Sequence, residues 1–225
     1  MQSRSAEERR EDLVKLYREA AACERCPLHM TRTKVVFGSG NADADLMFVG
    51  EAPGQHEDLQ GLPFVGRAGR LLEQLLEEIG LERGDVFIAN VLQSRPPGNR
   101  DPQPDEIDAC KPFLHRKIEL IEPKVICTLG NFATKLITRS QRGITGVHGR
   151  PQVHELGGRT VRVYPLFHPA AALRSTNTLG ELRADFARLP ALLEEPPPVP
   201  LGAVAAVAAA AQAAPEPPQM DLFGS

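Results

Sequence analysis

The chain has no run of about 18 apolar residues, the length a helix needs to cross a bilayer. Its first residues, MQSRSAEERREDL, are charged where a secretory signal requires an apolar stretch, so the expected location is the cytoplasm. Cysteine is sparse, at 4 in 225 residues, and a reducing compartment argues against structural disulfides. That leaves a metal, a cluster or plain burial for the thiols. The GxGxxG turn of dinucleotide-binding folds is absent. Lys and Arg are absent from residues 191–225, which carry Glu194, Glu195, Glu216 and Asp221. The formal net charge of −3 therefore belongs to this tail, because residues 1–190 hold 26 basic against 25 acidic groups. Such a balance neither demands nor excludes a polyanionic partner, which needs a basic face and not a basic chain.

What is present is an ordinary core-forming composition, 42% hydrophobic and 24% charged, as for one globular domain with appendages. Leu13, Leu16, Tyr17 and Ala20 recur at helical spacing and predict a helix over residues 5–22. Four short apolar runs read as buried strands: Asp45 to Gly50, Val86 to Leu92, Lys124 to Gly130 and Thr160 to Phe167. Helical patterns lie between them at Gly69 to Gly80, Pro104 to Ile121 and Asn131 to Thr138. Strands alternating with helices pair in parallel through right-handed crossovers. The expected fold is a three-layer α/β/α sandwich with a central four-stranded parallel sheet, occupying residues 1–193. A hairpin signal from Gln152 to Val163 leads into the fourth strand. Ligands of such sheets bind beyond the carboxyl ends of the strands, which directs attention to residues 50–58, 90–100, 168–174 and the segment from Gly130 onward.

GEAPG, Gly50 to Gly54, follows the first strand as a tight loop whose N–H groups can face a ligand; a plain βα turn is the alternative. Glu51 and the pair Glu57 and Asp58 stand at that strand end, where a solvated surface is the plain explanation. In GLPFVGRAGRLL, Phe64 sits between a proline and glycines, placed either to offer its face to a base or to fill the core. Asn90 interrupts an apolar strand and must find hydrogen-bond partners, in the backbone or in a ligand, or cost about 1–3 kcal/mol. QSRPPGNRDP, from Gln93, brings Arg95 and Arg100 on a rigid loop suited to phosphate. FHPAAALR closes the fourth strand with His168, the one histidine at the carboxyl end of a predicted strand, followed by Leu173 and Arg174.

In order and in nearly the same spacing, these segments resemble the family 4 uracil-DNA glycosylases, whose series is GE(G/A)PG…ED, GxPFVGxAG, NVxxxRPPxNRxP and FHPxxxL. The resemblance runs from Cys23 to about Arg174. It implies a bacterial base-excision repair enzyme that flips uracil out of DNA and hydrolyses its N-glycosidic bond. Gly50, Glu51 and Ala52 would line the uracil pocket, Phe64 would stack on the base, Asn90 would read its edge and His168 would face O2. An amide can donate to uracil O4 and accept from N3–H, two groups that cytosine reverses. His168 and the loop amides would stabilise the anion that develops on uracil. The first loop lacks the aspartate that better-known relatives use to activate water, which leaves Glu51 to orient water or oppose the sugar's positive charge. Leu173 would be the wedge in the DNA, with Arg95, Arg100 and Arg174 on phosphates. A histidine-bearing insertion by which one relative traps DNA covalently is absent, so hydrolysis and release are expected, from a monomer. A non-catalytic metal-bound or redox-sensing DNA-binding module is the rival reading.

Cys23-x2-Cys26, Cys110 and Cys127 are compatible by spacing with a [4Fe–4S] cluster or with zinc, and the resemblance favours the cluster. It also exposes a departure: the family's third cysteine precedes RPP, where this chain has Ser94. Either Cys127 has taken over as ligand, or three cysteines bind and Ser94, a histidine or solvent completes the site. From Glu194 to residue 218 the composition turns to Pro and Ala, a linker that builds no core. Beyond it QMDLF, residues 219–223, resembles the short peptide by which bacterial repair proteins dock on the sliding clamp, with Leu222 and Phe223 as anchors and Gln219 on the pocket rim.

Overall fold

The computed structural model describes residues 4–198. The chain opens with α1 (Ala6–Ala21), begun by a capping box in which Ser5 Oγ accepts from the Glu8 N–H and Glu8 Oε2 accepts from the Ser5 N–H. Then follow β1 (Ser39–Gly40), β2 (Leu46–Gly50), α2 (Gln55–Gln60), α3 (Arg67–Glu78), β3 (Phe87–Asn90), α4 (Pro104–Ile121), β4 (Val125–Leu129) and α5 (Gly130–Thr138). The hairpin β5 (Gln152–Leu156) and β6 (Arg159–Leu166) leads to α6 (Pro169–Ala172), α7 (Thr176–Phe186) and α8 (Leu189–Glu194). No helix among the described residues is long and apolar enough to cross a membrane.

The four parallel strands lie where the apolar runs predict them, but the sheet is wider than four. Its order is β1-β3-β2-β4-β6-β5, with β1 and β5 antiparallel at the edges. The outer strand β1 has no apolar pattern to read. It is two residues long, and Gly40, at φ 123°, lies so close to Val86 that a Cβ there would stand 1.9 Å from the Val86 carbonyl oxygen. Glycine is what lets that edge pair form.

Side-chain alternation divides the strands between two cores. Met47 and Val49 of β2, with Ile126 of β4, face the layer of α1, α4 and α5. Leu46, Phe48, Val125 and Cys127 face the layer of α3, α7 and α8. From β2 the chain crosses to β3 on one side and then, through α4, to β4 on the other. The crevice beyond the carboxyl ends of β2 and β4 is thus the topological switch point, where open α/β sheets hold their ligands.

Candidate active site

A cleft of about 640 Å³ opens at that switch point, lined among others by Glu51, Ala52, Phe64, Asn90, His168 and Arg174. A neighbouring cavity of about 570 Å³ shares Glu51, Asp101 and His168 with it. The parallel register pairs Gly50 with Asn90. A Cβ on Gly50 would meet Asn90 Oδ1 at 2.3 Å and the Phe64 ring at 2.9 Å. Gly50, expected from the sequence to line the uracil pocket, lies against Asn90 and Phe64, and its bareness lets the two converge. Asn90 is 2% exposed.

Phe64 adopts φ 54°, a left-handed conformation that costs a bulky residue energy unless its surroundings impose it. Those surroundings are explicit. Glu57 Oε1 accepts from the N–H groups of Val65 and Gly66, each at 3.1 Å. Arg83 donates to the carbonyls of Phe64, at 3.1 Å, and of Pro63, while its guanidinium pairs with Glu73 at 3.0 Å. Gly69 on α3 admits the Phe64 backbone where a Cβ would fall 1.7 Å from its carbonyl oxygen. Glu57 is thus a structural clamp and not part of a solvated edge. Its neighbour Asp58 is buried and accepts from the Thr33 N–H at 3.0 Å. Sequence inspection passed over Arg83, which lies between elements with no motif to mark it.

His168 caps the short helix α6. The Ala170 N–H donates to its Nδ1 at 3.0 Å, so the neutral ring carries its proton on Nε2. The imidazole stacks toward Phe64, with ring centroids 5.6 Å apart and planes at 27°. Burial pushes its pKa down to about 4, with Glu57 opposing the shift. The arrangement presents a neutral N–H donor to the cleft across the physiological range. Glu51 is shifted the other way, its carboxyl raised by burial and by the nearby charge of Asp101.

The DNA-contact candidates separate. Arg174 lines the cleft, and Leu173, 48% exposed, stands beside it with Arg67 in a small rim cavity. Arg95 Nε donates to Asn99 Oδ1 at 2.7 Å. Arg100 also borders the cleft, but its guanidinium is held by Glu106, a carboxylate 1% exposed at the start of α4, with one contact at 2.9 Å.

Three of the cysteines gather on one side of the sheet. Cys23 and Cys26 pack against the core that contains Cys110. Burial raises the thiol pKa of Cys26 and of Cys110, and the charge of Cys23 adds to each shift. The Gln93 backbone opposes the shift at Cys110. Cys127 does not join them. Alternation along β4 turns it into the opposite core, 0% exposed among Phe48 and Tyr164, and the sheet stands between it and the other thiols. Ser94, beside Gln93, is 3% exposed and accepts from Arg32 at 3.4 Å. No three His, Cys, Asp or Glu among the described residues are grouped tightly enough to hold a single metal ion.

Comparison with known proteins settles the family. Residues 37–189 match the family model of the Uracil DNA glycosylase superfamily. The chain is 47% identical over 184 residues to the type-4 uracil-DNA glycosylase of Sulfurisphaera tokodaii, covering 80% of this chain and 84% of that protein. It belongs to the type-4 uracil-DNA glycosylases. The Archaeoglobus fulgidus type-4 enzyme is 45% identical, with 80% of this chain and 92% of that protein covered. For the Thermotoga maritima type-4 enzyme the identity is 48%, over 77% of this chain and 89% of that protein. The matched span of the superfamily takes in every strand of the parallel sheet and ends at Leu189, the first residue of α8.

Proposed function

We propose that the chain excises uracil from DNA by hydrolysing the bond between uracil N1 and the sugar C1′, leaving an abasic site. The observation that carries this is the meeting of Phe64, Asn90 and a neutral His168 in one cleft at the switch point. Asn90 faces the base edge with an amide able to donate to O4 and accept from N3–H. His168 donates from Nε2 to O2 as the bond lengthens and negative charge gathers on the base. Neutrality suits this role, because a ring held at about 4 keeps its Nε2 proton while stabilising an anion. Glu51, a carboxylate lining the cleft, orients water toward C1′ or opposes the sugar's positive charge. Leu173 fills the gap left by the flipped nucleotide, and Arg95 and Arg174 take phosphates. Arg100 shapes the loop through Glu106. The test is incubation with an oligonucleotide carrying one uracil, then alkaline cleavage: strand scission at the uracil is expected, and an intact strand favours the non-catalytic DNA-binding reading.

For the cluster, the residues that fit are Cys23, Cys26 and Cys110, three thiols on one face of the sheet, with the Ser94 hydroxyl as candidate for the fourth position. A closed tetrahedral zinc site needs ligands gathered about one ion; a [4Fe–4S] cluster asks for a wider spacing of thiolates. When bound, the cluster cross-links the segment after α1 to α4. Four free thiols suit the reducing cytoplasm of a bacterium.

The domain division and the tail are part of the same reading. Residues 1–193 form the glycosylase, residues 194–218 a linker, and residues 219–223 a clamp-binding peptide. Residues 199–225, including Gln219, Leu222 and Phe223, lie outside the described residues. Calorimetry of a peptide spanning Pro215 to Ser225 against the organism's own sliding clamp tests the tail: micromolar-range binding is expected, and none at high peptide concentration removes the idea.

A further inference from the structure

Lys117 is 0% exposed, yet none of the chemistry above employs it. A buried ammonium is strongly disfavoured unless charge and hydrogen bonds compensate for the lost water. Its acceptors among the described residues are both neutral: Gln93 Oε1 at 3.0 Å and the Phe37 carbonyl. Its Nζ also lies 4.2 Å from the centre of the Phe37 ring, a favourable contact but a weak one beside full desolvation. A methionine or leucine would fill the same space without that penalty.

Two features say what the charge is for. Lys117 stands two turns beyond Cys110 on α4, a spacing that returns to the same helix face. Gln93 is the second: its side-chain oxygen accepts from Lys117 at 3.0 Å. Gln93 is also the residue before Ser94, the candidate fourth position. The buried amine thus lies on the Cys110 face of α4 and is bonded to the residue beside Ser94; burial pushes its pKa down to about 7, and the charge of Cys110 opposes that shift. A cluster bound by three thiolates places net negative charge inside the protein, and a lysine sealed behind it supplies the opposite sign where water cannot.

Resting on the cluster assignment above, we propose that Lys117 is the internal counter-charge of the iron–sulfur centre, a positioning residue that favours ligated thiolates and the more reduced state. Reduction adds negative charge, so a fixed cation nearby raises the midpoint potential. The experiment uses anaerobically purified full-length protein and compares wild type with Lys117→Met and Lys117→Arg by spectroelectrochemistry and by the rate of iron loss to a chelator. Lys117→Met should carry a cluster of more negative midpoint potential and lose iron several-fold faster, and Lys117→Arg should return both toward wild type. A Lys117→Met protein with wild-type potential and iron-loss rate overturns the proposal while leaving the cluster in place. Wild-type protein that purifies without iron and acid-labile sulfide overturns the cluster assignment and this proposal together. If Lys117→Met does not fold, Lys117→Gln, which also lacks the charge but keeps polar contacts, is read in its place with the same two outcomes.

Discussion

His168 shows how little of a catalytic residue is the residue alone. A histidine in water carries a pKa of about 6.5; here burial brings it to about 4, and the Ala170 N–H occupies Nδ1. Excision should therefore show no inflection near the ordinary histidine value, and its rate should be flat from about pH 6.5 upward. A break at the ordinary value in the single-turnover profile would mean the ring titrates freely. The sign for stability follows from the depressed pKa. The unfolded chain binds the proton first, so the contribution of His168 is complete above its unfolded value and is lost as pH falls toward about 4. Replacing the donor, in His168→Ala, should lower single-turnover cleavage by about 10²–10³, the usual loss for one such group, with DNA binding little changed. Gly50 is the second residue-scale test. Gly50→Ala puts a methyl 2.3 Å from Asn90 Oδ1 and 2.9 Å from Phe64, so uracil excision should collapse while circular dichroism stays native; a fully active variant would show that Asn90 and Phe64 need not sit where they do.

Among the elements, the loop from α2 to α3 combines a strained residue with explicit restraint. Phe64 is held at positive φ by Glu57 from one side and Arg83 from the other. Hydrogen bonds to a charged group contribute about 1.5–3 kcal/mol each, and Glu57 makes two. Glu57→Ala should thus loosen the Phe64 turn, lowering the melting temperature and cutting cleavage at sub-saturating DNA by roughly tenfold or more. The effect should fall mainly on uracil engagement and not on binding to uracil-free DNA. Unchanged cleavage would leave Arg83 as sufficient restraint. The partner case is the loop after β3, where Arg100 is tied to buried Glu106. There the carboxyl pKa is lowered, first by that hydrogen bond, so the pairing persists well into acid.

Across the whole molecule, the sheet sorts the cysteines. Cys23→Ala or Cys110→Ala should bleach the brown colour expected of the anaerobically purified protein and destabilise it, since the link between α1 and α4 is lost. Cys127→Ala should keep the full visible spectrum and cost only what a small buried side chain costs, because it packs in the other core. A bleached Cys127→Ala protein would overturn that division. The tail acts at the same scale. Replacing Leu222 and Phe223 with alanine should abolish clamp binding and leave excision from free oligonucleotides intact, as Glu51, Phe64, Asn90 and His168 of the cleft all lie within residues 4–198.

By itself the sequence determined the parallel α/β core. Buried strands and amphipathic helices impose periods of two and about 3.6 that survive any arrangement of the elements, and the runs beginning near Asp45, Val86, Lys124 and Thr160 became β2, β3, β4 and β6. It also marked Phe64, Asn90 and His168, since each breaks a local pattern at a strand end or glycine turn. The two-residue strand β1, the grip of Glu57 and Arg83 on Phe64, and the burial of Lys117 left no such trace. Each depends on contacts between segments distant in the chain, which periodicity does not encode. The fate of Cys127 was a matter of one residue of alternation: β4 points Ile126 toward the other thiols and Cys127 away from them. Only the packed sheet, with a helix layer on each face, decides which side of a strand is which.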